Sequence, residues 1–253
     1  MKAAIRFDGA CGHGHRVRCG ALAEALRENG FDVEFVNGDL GAPVDLLVVD
    51  HYGLDARWES AMRPFARRIA VIDDFPGREH DCDLLVDPDD FDEERHGNNV
   101  LLGPRYTLLR PEFAAARRPQ RDAIRTVFVA HPPALDALRD VRVAMPASFD
   151  AGRVARHMAA SDVAFVAGGM TMLEACCVGT PAIVTITAEN QSRAVDALAR
   201  RGAIRVVENG DYRAALDALS AGDLHEMSRR GMELIDGRGC ARVAAAMLDI
   251  VRS

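Results

Sequence analysis

The chain has 253 residues, 49% of them hydrophobic and 27% charged, and its 31 lysines and arginines against 38 aspartates and glutamates give a formal net charge of −7. These proportions exclude a wholly disordered chain, a collagen and a coiled coil, and the acidic balance argues against a nucleic-acid surface or a polybasic membrane anchor. At about 150 residues per domain, the length suits one large domain or two small ones.

The first residues, Met1-Lys2-Ala3-Ala4-Ile5-Arg6-Phe7-Asp8, carry no apolar signal core, and no stretch reaches the about 18 uninterrupted apolar residues that would span a bilayer. The cysteines Cys11, Cys19, Cys82, Cys176, Cys177 and Cys240 form no CxxC pair and no metal-ligand spacing. Reduced, buried thiols in a cytoplasmic protein are the expectation.

Short apolar runs recur along the chain at Ala3–Phe7, Val33–Val36, Asp45–Val49, Arg68–Ile72, Leu84–Val86 and Val100–Leu102. They continue at Thr126–Val129, Val141–Ala144, Val163–Ala167, Ala182–Thr187 and Ile204–Val207. Each is rich in Val, Ile or Leu and ends in polar or Gly/Pro residues, the pattern of parallel strands buried on both faces. Helices are expected between them: His15–Asn29 closed by Gly30, Thr171–Val178 closed by Gly179, Gln191–Arg201 closed by Gly202, then Tyr212–Leu219 and Ala241–Val251. Alternating strands and helices predict α/β layers. The charged stretch Ala114–Arg125 divides the strands into two sets, so the expected domains are 1–118 and 119–253.

The first strand runs into Asp8-Gly9-Ala10-Cys11-Gly12-His13-Gly14-His15-Arg16-Val17-Arg18. A glycine-rich turn opening a helix offers unpaired N–H groups and a positive dipole end to an anion or a sugar phosphate. The spacing is neither a dinucleotide fingerprint nor a Walker loop. His15 at the helix start is a candidate general base, its neutral form favoured by the dipole. A plain strand-to-helix turn with a histidine at its end is the structural alternative.

A second glycine turn follows the strand Val163–Ala167, in Gly168-Gly169-Met170-Thr171-Met172-Leu173-Glu174. The glycines would let a diphosphate approach the backbone, Thr171 reads as an N-cap, and Glu174 could accept both hydroxyls of a ribose. Thr171-x-x-Glu174 is equally a capping box. The next strand ends in Ala188-Glu189-Asn190-Gln191, polar groups at the carboxyl edge where open α/β sheets bind ligands.

Taken in order, these motifs resemble the UDP-2,4-diacetamido-2,4,6-trideoxy-β-L-altropyranose hydrolases of pseudaminic acid biosynthesis, relatives of the MurG-type glycosyltransferases. The resemblance is carried by Gly12-His-Gly-His15-Arg-Val-Arg18-Cys19, Val48-Val-Asp-His-Tyr-Gly-Leu-Asp55, Ile72-Asp-Asp74 and His80-Asp-Cys-Asp83. It continues in Leu102-Gly-Pro-Arg-Tyr-Thr-Leu-Leu-Arg-Pro-Glu-Phe113, Ala167-Gly-Gly-Met-Thr-Met-Leu-Glu174 and Ala188-Glu-Asn-Gln191, so it covers most of 1–113 and 157–203. It implies two Rossmann-like domains in a GT-B arrangement with an inter-domain cleft. It implies that His15 activates water against the anomeric carbon, releasing UDP with no metal and no cofactor. Gly14 and Arg18, in the same turn, would bind the substrate. Gly168, Gly169, Thr171 and Glu174 would hold the diphosphate and ribose, Asn190 and Gln191 would lie near the sugar or phosphate, and Tyr52 and Asp73 would line the sugar side.

The sequence departs from the family in three places. The first loop is shorter by about two residues, and His13 stands where a small hydroxyl residue is usual. The strand Thr126–Val129 runs into Ala130-His131-Pro132-Pro133, with no glycine in place of an SFGG-type loop. The segment from there to His157 is shortened, as if by one helix–strand unit.

Other residues have structural expectations. Asp50-His51 and Asp73-Asp74 follow strands, with Asp73 favoured over Asp74 as a sugar contact. The acidic run Asp81–Glu94 reads as a solvated loop, Arg117-Arg118 and Arg229-Arg230 as solvated helix ends, and His131 as part of a rigid turn. Trp58 is expected to pack beneath the cleft with Tyr52. His80, His96, His157 and His225 show no metal-ligand spacing.

A UDP-sugar hydrolase is therefore the first expectation. A GT-B glycosyltransferase and a non-catalytic nucleotide-sugar-binding protein are its rivals. The expected partner is a small UDP-sugar, with no nucleic acid and no membrane, and the residues name no protein partner.

Overall fold

The computed structural model describes residues 1–9, 13–90, 99–118, 122–130, 138, 140–145, 150–207 and 210–253. The chain divides into two compact units, Met1–Leu108 with Arg238–Ser253, and Leu109–Gly237. Each of the eleven apolar runs read from the sequence contains a strand.

In the first unit, β1 (Lys2–Phe7) leads through α1 (His13–Glu28) to β2 (Asp32–Val36). The chain then crosses to the other side of β1 for β3 (Val44–Asp50), α2 (Ala56–Met62), β4 (Ala66–Ile72), β5 (Leu84–Asp87) and β6 (Val100–Leu102). The sheet is parallel in the order β2-β1-β3-β4-β5-β6. Its winding reverses between β1 and β3, which opens a crevice at their carboxyl ends.

The two-residue period of a strand sorts the core into layers. Ala3, Ile5, Leu46, Val48, Ala70, Ile72, Leu84 and Val86 point to one face and pack on Cys19, Leu22 and Leu26 of α1. Their neighbours Ala4, Leu47, Val49, Ile69 and Val71 point to the other face, against Met62 of α2. Trp58 packs on that second face and donates its indole N–H to Asp39 Oδ1 at 3.0 Å. Tyr52 instead lies edge-on to His15 and Phe75, so the two rings do not pack together as expected.

The last helix, α3 (Gly239–Arg252), completes the first unit's core with Val243, Ala244, Met247 and Val251. The expected boundary at 118/119 therefore differs from the observed division in two ways. The changeover falls at Leu108/Leu109, and the C-terminal segment belongs with the first half of the chain. The physical reason is that β1, β3, β4 and β5 present apolar side chains that α1 alone does not cover. Arg68 Nε also donates to Ile250 O at 2.7 Å.

The second unit opens with α4 (Pro111–Ala115) and continues through β7 (Thr126–Val129), β8 (Arg142–Ala144), α5 (Ala151–Ala160), β9 (Val163–Ala167) and α6 (Met170–Val178). It ends with β10 (Ala182–Thr185), α7 (Ser192–Arg200), β11 (Ile204–Val206), α8 (Tyr212–Asp217) and α9 (Ala221–Leu234). This sheet is also parallel, ordered β11-β10-β9-β7-β8, and its winding reverses between β7 and β9. Val127, Val129, Val163, Phe165 and Ile183 pack with Leu216 and Leu224 on one face.

The sequence reading missed four helices. α2 and α4 are short, with seven and five residues. α5 starts from Asp150, whose carboxylate accepts the Arg153 N–H at 2.9 Å. α9 carries a Ser220–Asp223 capping box, but its two glycines weaken the helical signal. Gly231 is there for packing: a Cβ would stand 3.2 Å from Cys176 Cα. Among the described residues no helix is long and apolar enough to cross a membrane.

Candidate functional site

The crevice of the first sheet collects polar side chains that are far apart in sequence. His15 and Arg18 are one turn apart in α1, so they point the same way. Asp50 ends β3, and Asp74 follows β4. His15 Nδ1 lies 2.7 Å from Asp50 Oδ1. An ionised carboxylate can only accept, so the proton of this bond sits on Nδ1, and in the neutral ring the lone pair sits on Nε2. Among the described residues nothing hydrogen-bonds to Nε2.

Arg18 organises the rest. Its Nε and Nη2 donate to the two oxygens of Asp50 at 2.8 and 2.6 Å, and its Nη1 donates to both oxygens of Asp74 at 2.9 and 2.7 Å. Tyr52 donates its hydroxyl to Asp74 Oδ2 at 3.0 Å and stands edge-on to the His15 ring, with centroids 4.6 Å apart. Cys19 donates its thiol to Asp50 Oδ2 at 3.1 Å.

Asp50 is completely buried. Burial pushes its carboxyl up, but the Arg18 guanidinium and the His15 bond override this and hold it well below the usual carboxylate range. Burial also opposes the charge on Arg18, and Asp50 and Asp74 more than restore it. Burial and the Asp50 charge raise the Cys19 thiol far above its ordinary value, which keeps it a neutral donor. A guanidinium between two carboxylates is a poor seat for a divalent cation. Among the described residues no group of three or more His, Cys, Asp or Glu is arranged to hold a metal ion.

The expected sugar contact Asp73 is not part of this cluster. Its Oδ1 accepts the Phe75 N–H at 3.1 Å, and its Oδ2 takes His80 Nε2 at 2.9 Å and Arg78 at 3.2 Å. His80 Nδ1 in turn lies 2.8 Å from Glu59 Oε1. The favoured member of the Asp73-Asp74 pair is thus engaged inside the protein, and Asp74 faces Arg18 instead. Asp50 could have been found from one signal, a carboxylate closing a Val-rich parallel strand. Gly14 lies within the first turn of α1, which begins two residues before the expected start. Ala10, Cys11 and Gly12 of the glycine turn lie outside the described residues.

In the second unit, Gly168 and Gly169 link β9 to α6 at the switch point of that sheet. A Cβ on Gly168 would stand 2.4 Å from Val195 Cγ2 and 3.2 Å from Gln191 Cβ, so only glycine fits. Gln191 Oε1 accepts the Thr187 N–H at 2.9 Å, and this fixes the amide next to the glycine turn. Asn190 lies exposed on the short 3₁₀ turn Glu189–Gln191.

Thr171 is not the N-cap. The cap position is Gly169, without a side-chain bond, and Thr171 is the second helical residue. The expected capping box is likewise absent, because Glu174 turns to Arg110, whose Nη2 donates to Oε1 at 2.8 Å. Glu174 is 3% exposed. Burial raises its carboxyl to about 7 despite the pull of Arg110.

Three further expectations are corrected. Asp81 and Asp83 pair with Arg63, and Asp87 and Asp90 are buried, so residues 81–90 are not a solvated loop; Phe91–Glu94 lie outside the described residues. Arg117 donates to the carbonyls of Ile235 and Met232 at 3.1 and 2.8 Å, and Arg118 donates to Ser161 O, so both are structural ties. Arg229 is a solvated helix residue paired with Glu226 and Glu233, whereas Arg230 also reaches Arg201 O at 2.6 Å. His96 and His131-Pro132-Pro133 lie outside the described residues.

No family model matches the chain. It is 30% identical over 101 residues to the spore coat polysaccharide biosynthesis protein SpsG of Bacillus subtilis (strain 168). That alignment spans 37% of this chain and 30% of SpsG, less than a third of the relative's length. Among solved structures, MurG of Acinetobacter baumannii matches with a TM-score of 0.70 at 12% identity, over 98% of this chain and 99% of that one. The forosaminyltransferase SpnP matches with a TM-score of 0.62 at 15% identity, over all of both chains. SsfS6, a glycosyltransferase of Streptomyces sp. SF2575, matches in its thymidine diphosphate complex with a TM-score of 0.58 at 13% identity, over 97% of this chain and 99% of that one. At such low identities the likeness concerns the fold, and the fold it shows is the pair of Rossmann-like α/β units of GT-B glycosyltransferases.

Proposed function

We propose that the protein hydrolyses a UDP-linked deoxy-amino sugar at its anomeric C–O bond without a metal, in nonulosonic acid biosynthesis of the pseudaminic type. The observation that carries this reading is the His15 ring, oriented through Nδ1 by the buried carboxylate of Asp50 with its Nε2 lone pair available. Nε2 takes a proton from water, and the water oxygen bonds to the anomeric carbon. The electron pair of the broken bond leaves with UDP, and the second water proton stays on the new sugar hydroxyl. Asp50 stabilises the imidazolium formed. Tyr52, beside the ring, is on the sugar side. Gly168 and Gly169 with the start of α6 receive the diphosphate, Thr171 and Glu174 the ribose, and Asn190 and Gln191 the adjoining phosphate or sugar.

The sugar class is supported by the motif resemblance, and nucleotide-sugar use by the glycosyltransferase likeness and the thymidine diphosphate held by SsfS6. The same likeness favours a second reading, a transferase in which an acceptor hydroxyl replaces water. His15 would serve either nucleophile.

The test is incubation with the UDP-linked 2,4-diacetamido-2,4,6-trideoxy sugar in EDTA, without acceptor, followed by NMR. Free sugar and UDP in equal amounts are expected. Release only when an acceptor alcohol is supplied makes the protein a transferase. Tight UDP binding with no release under either condition makes it a binding protein.

A further inference from the structure

We propose that His80 is a positioning residue for the His15 site: by bridging Glu59 and Asp73 it fixes the turn that presents Asp74 to Arg18. This deepens the reading of His15 as the base and rests on it.

The bridge joins three elements. Glu59 comes from α2, Asp73 follows β4, and His80 lies in the segment leading to β5. Glu59, Asp73 and the His80 side chain are all buried, at 0%, 3% and 5% exposure. His80 Nδ1 is 2.8 Å from Glu59 Oε1 and Nε2 is 2.9 Å from Asp73 Oδ2. A neutral imidazole has one N–H and can satisfy one carboxylate; only the imidazolium donates to both. Two buried carboxylates facing one ring therefore require the charged form.

The consequence reaches His15 through the backbone. The Asp73 N–H donates to Val86 O at 3.0 Å and Asp73 Oδ1 accepts the Phe75 N–H at 3.1 Å, so the Asp73 carboxylate pins the turn that carries Asp74. Asp74 then holds Arg18 through two bonds, Arg18 holds Asp50, and Asp50 holds His15. Releasing Asp73 loosens this chain at its far end.

The other charges around His80 are settled. Arg78 pairs with Asp73 at 3.2 Å, and the Asp81 N–H donates to Glu59 Oε2 at 2.6 Å. Arg63 is held by Asp81 and Asp83. Burial and the Glu59 charge push the neighbouring Cys82 thiol up to about 12, so it stays neutral. Burial opposes the charge on His80, yet Asp73 and Glu59 raise it to about 9, so the bridge titrates alone in the mildly alkaline range.

The experiment is NMR of the histidine ring protons in the full-length protein, which reads positioning without turnover. A protein that releases no UDP still tests the proposal. Both His80 ring N–H protons are expected at pH 7.5, one of them lost with a midpoint near 9. The hydrogen-bonded His15 Nδ1–H signal is expected to broaden through the same midpoint, while circular dichroism stays constant. A His15 signal that stays sharp while His80 titrates, or His80 titrating near its unperturbed value of about 6.5, overturns the proposal. The double variant Glu59→Gln, His80→Gln keeps a neutral bridge with no titrating ring. It is expected to retain the His15 signal beyond pH 9, and loss of the signal at the native midpoint in that variant also overturns the proposal.

Discussion

His15 Nδ1 and Asp50 Oδ1 meet at 2.7 Å although 35 positions separate the two residues in sequence. The contact exists because β1 and β3 are neighbours in a parallel sheet, with Phe7 opposite Asp50, and because α1 starts directly beyond β1. The Asp8 N–H donating to Asp50 O at 2.9 Å locks that register. The imidazole is thus oriented by a buried, ionised carboxylate that is itself held by Arg18.

Removing His15 and removing Asp50 should differ. His15→Ala is expected to lower turnover by about 10²–10⁴-fold and to leave UDP affinity nearly unchanged. Asp50→Ala leaves Arg18 with one carboxylate in a buried site, and should cost about 3 kcal/mol of stability as well as turnover. Paired turnover assays, calorimetric UDP titrations and urea unfolding separate the two. Equal loss of UDP binding in His15→Ala would make His15 structural.

Acid should uncouple this cluster. The Asp50 carboxyl is held below its unfolded value, so its contribution to stability is complete above the unfolded pKa of about 3.9 and is lost as pH falls below it. Replacing Arg18 by Met leaves Asp50 and Asp74 buried and like-charged. Without Arg18, burial raises the Asp50 carboxyl, and the variant should be least stable near neutrality and recover towards pH 4. Urea midpoints between pH 4 and 8 read the slope, and a variant with the native slope would refute the account.

Gly168→Ala introduces a Cβ 2.4 Å from Val195 Cγ2. Overpacking of this kind costs about 1–3 kcal/mol and pushes Gln191 out of place. UDP affinity should fall together with the melting temperature. Gly210→Ala, at a glycine with open space around it but a φ of 74°, should destabilise without altering UDP affinity.

Glu174 should titrate near neutrality. Its carboxyl rises from 4.5 to about 7 on folding, so the folded state prefers the protonated form. Stability associated with Glu174 is therefore greatest below pH 4.5, declines as pH rises to about 7, and is constant above. Glu174→Gln mimics the neutral acid. It should be more stable than the native protein at pH 8 by on the order of 1 kcal/mol, with a flatter profile from pH 4.5 to 7. If Glu174 also accepts ribose hydroxyls, the variant should bind UDP and 2′-deoxy-UDP equally, whereas the native protein favours UDP.

The C-terminal helix should be indispensable to the first unit. Met247 is fully buried against it, and Met247→Ala should cost about 2–5 kcal/mol. A chain ending at Gly237 should lose the cooperative unfolding of the first unit, seen by calorimetry. Retention of that transition would show that α1 suffices to cover the sheet.

The sequence by itself determined the strands, because runs such as Leu46–Val49 and Val163–Val166 are apolar at every position and only a sheet covered on both faces buries them. It also marked the two glycine turns and His15, since glycine and a helix-end histidine are local signals. Tertiary structure decided the rest. The choice between Asp73 and Asp74 turns on which neighbour each carboxylate meets, His80 or Arg18, and two adjacent aspartates are alike in sequence. Glu174 reads as a cap until Arg110, 64 positions away, takes its oxygen. The ties of Arg117 and the return of the C-terminal helix to the first sheet are likewise long-range. Their energy comes from burial and charge pairing between segments whose nearness no local pattern encodes.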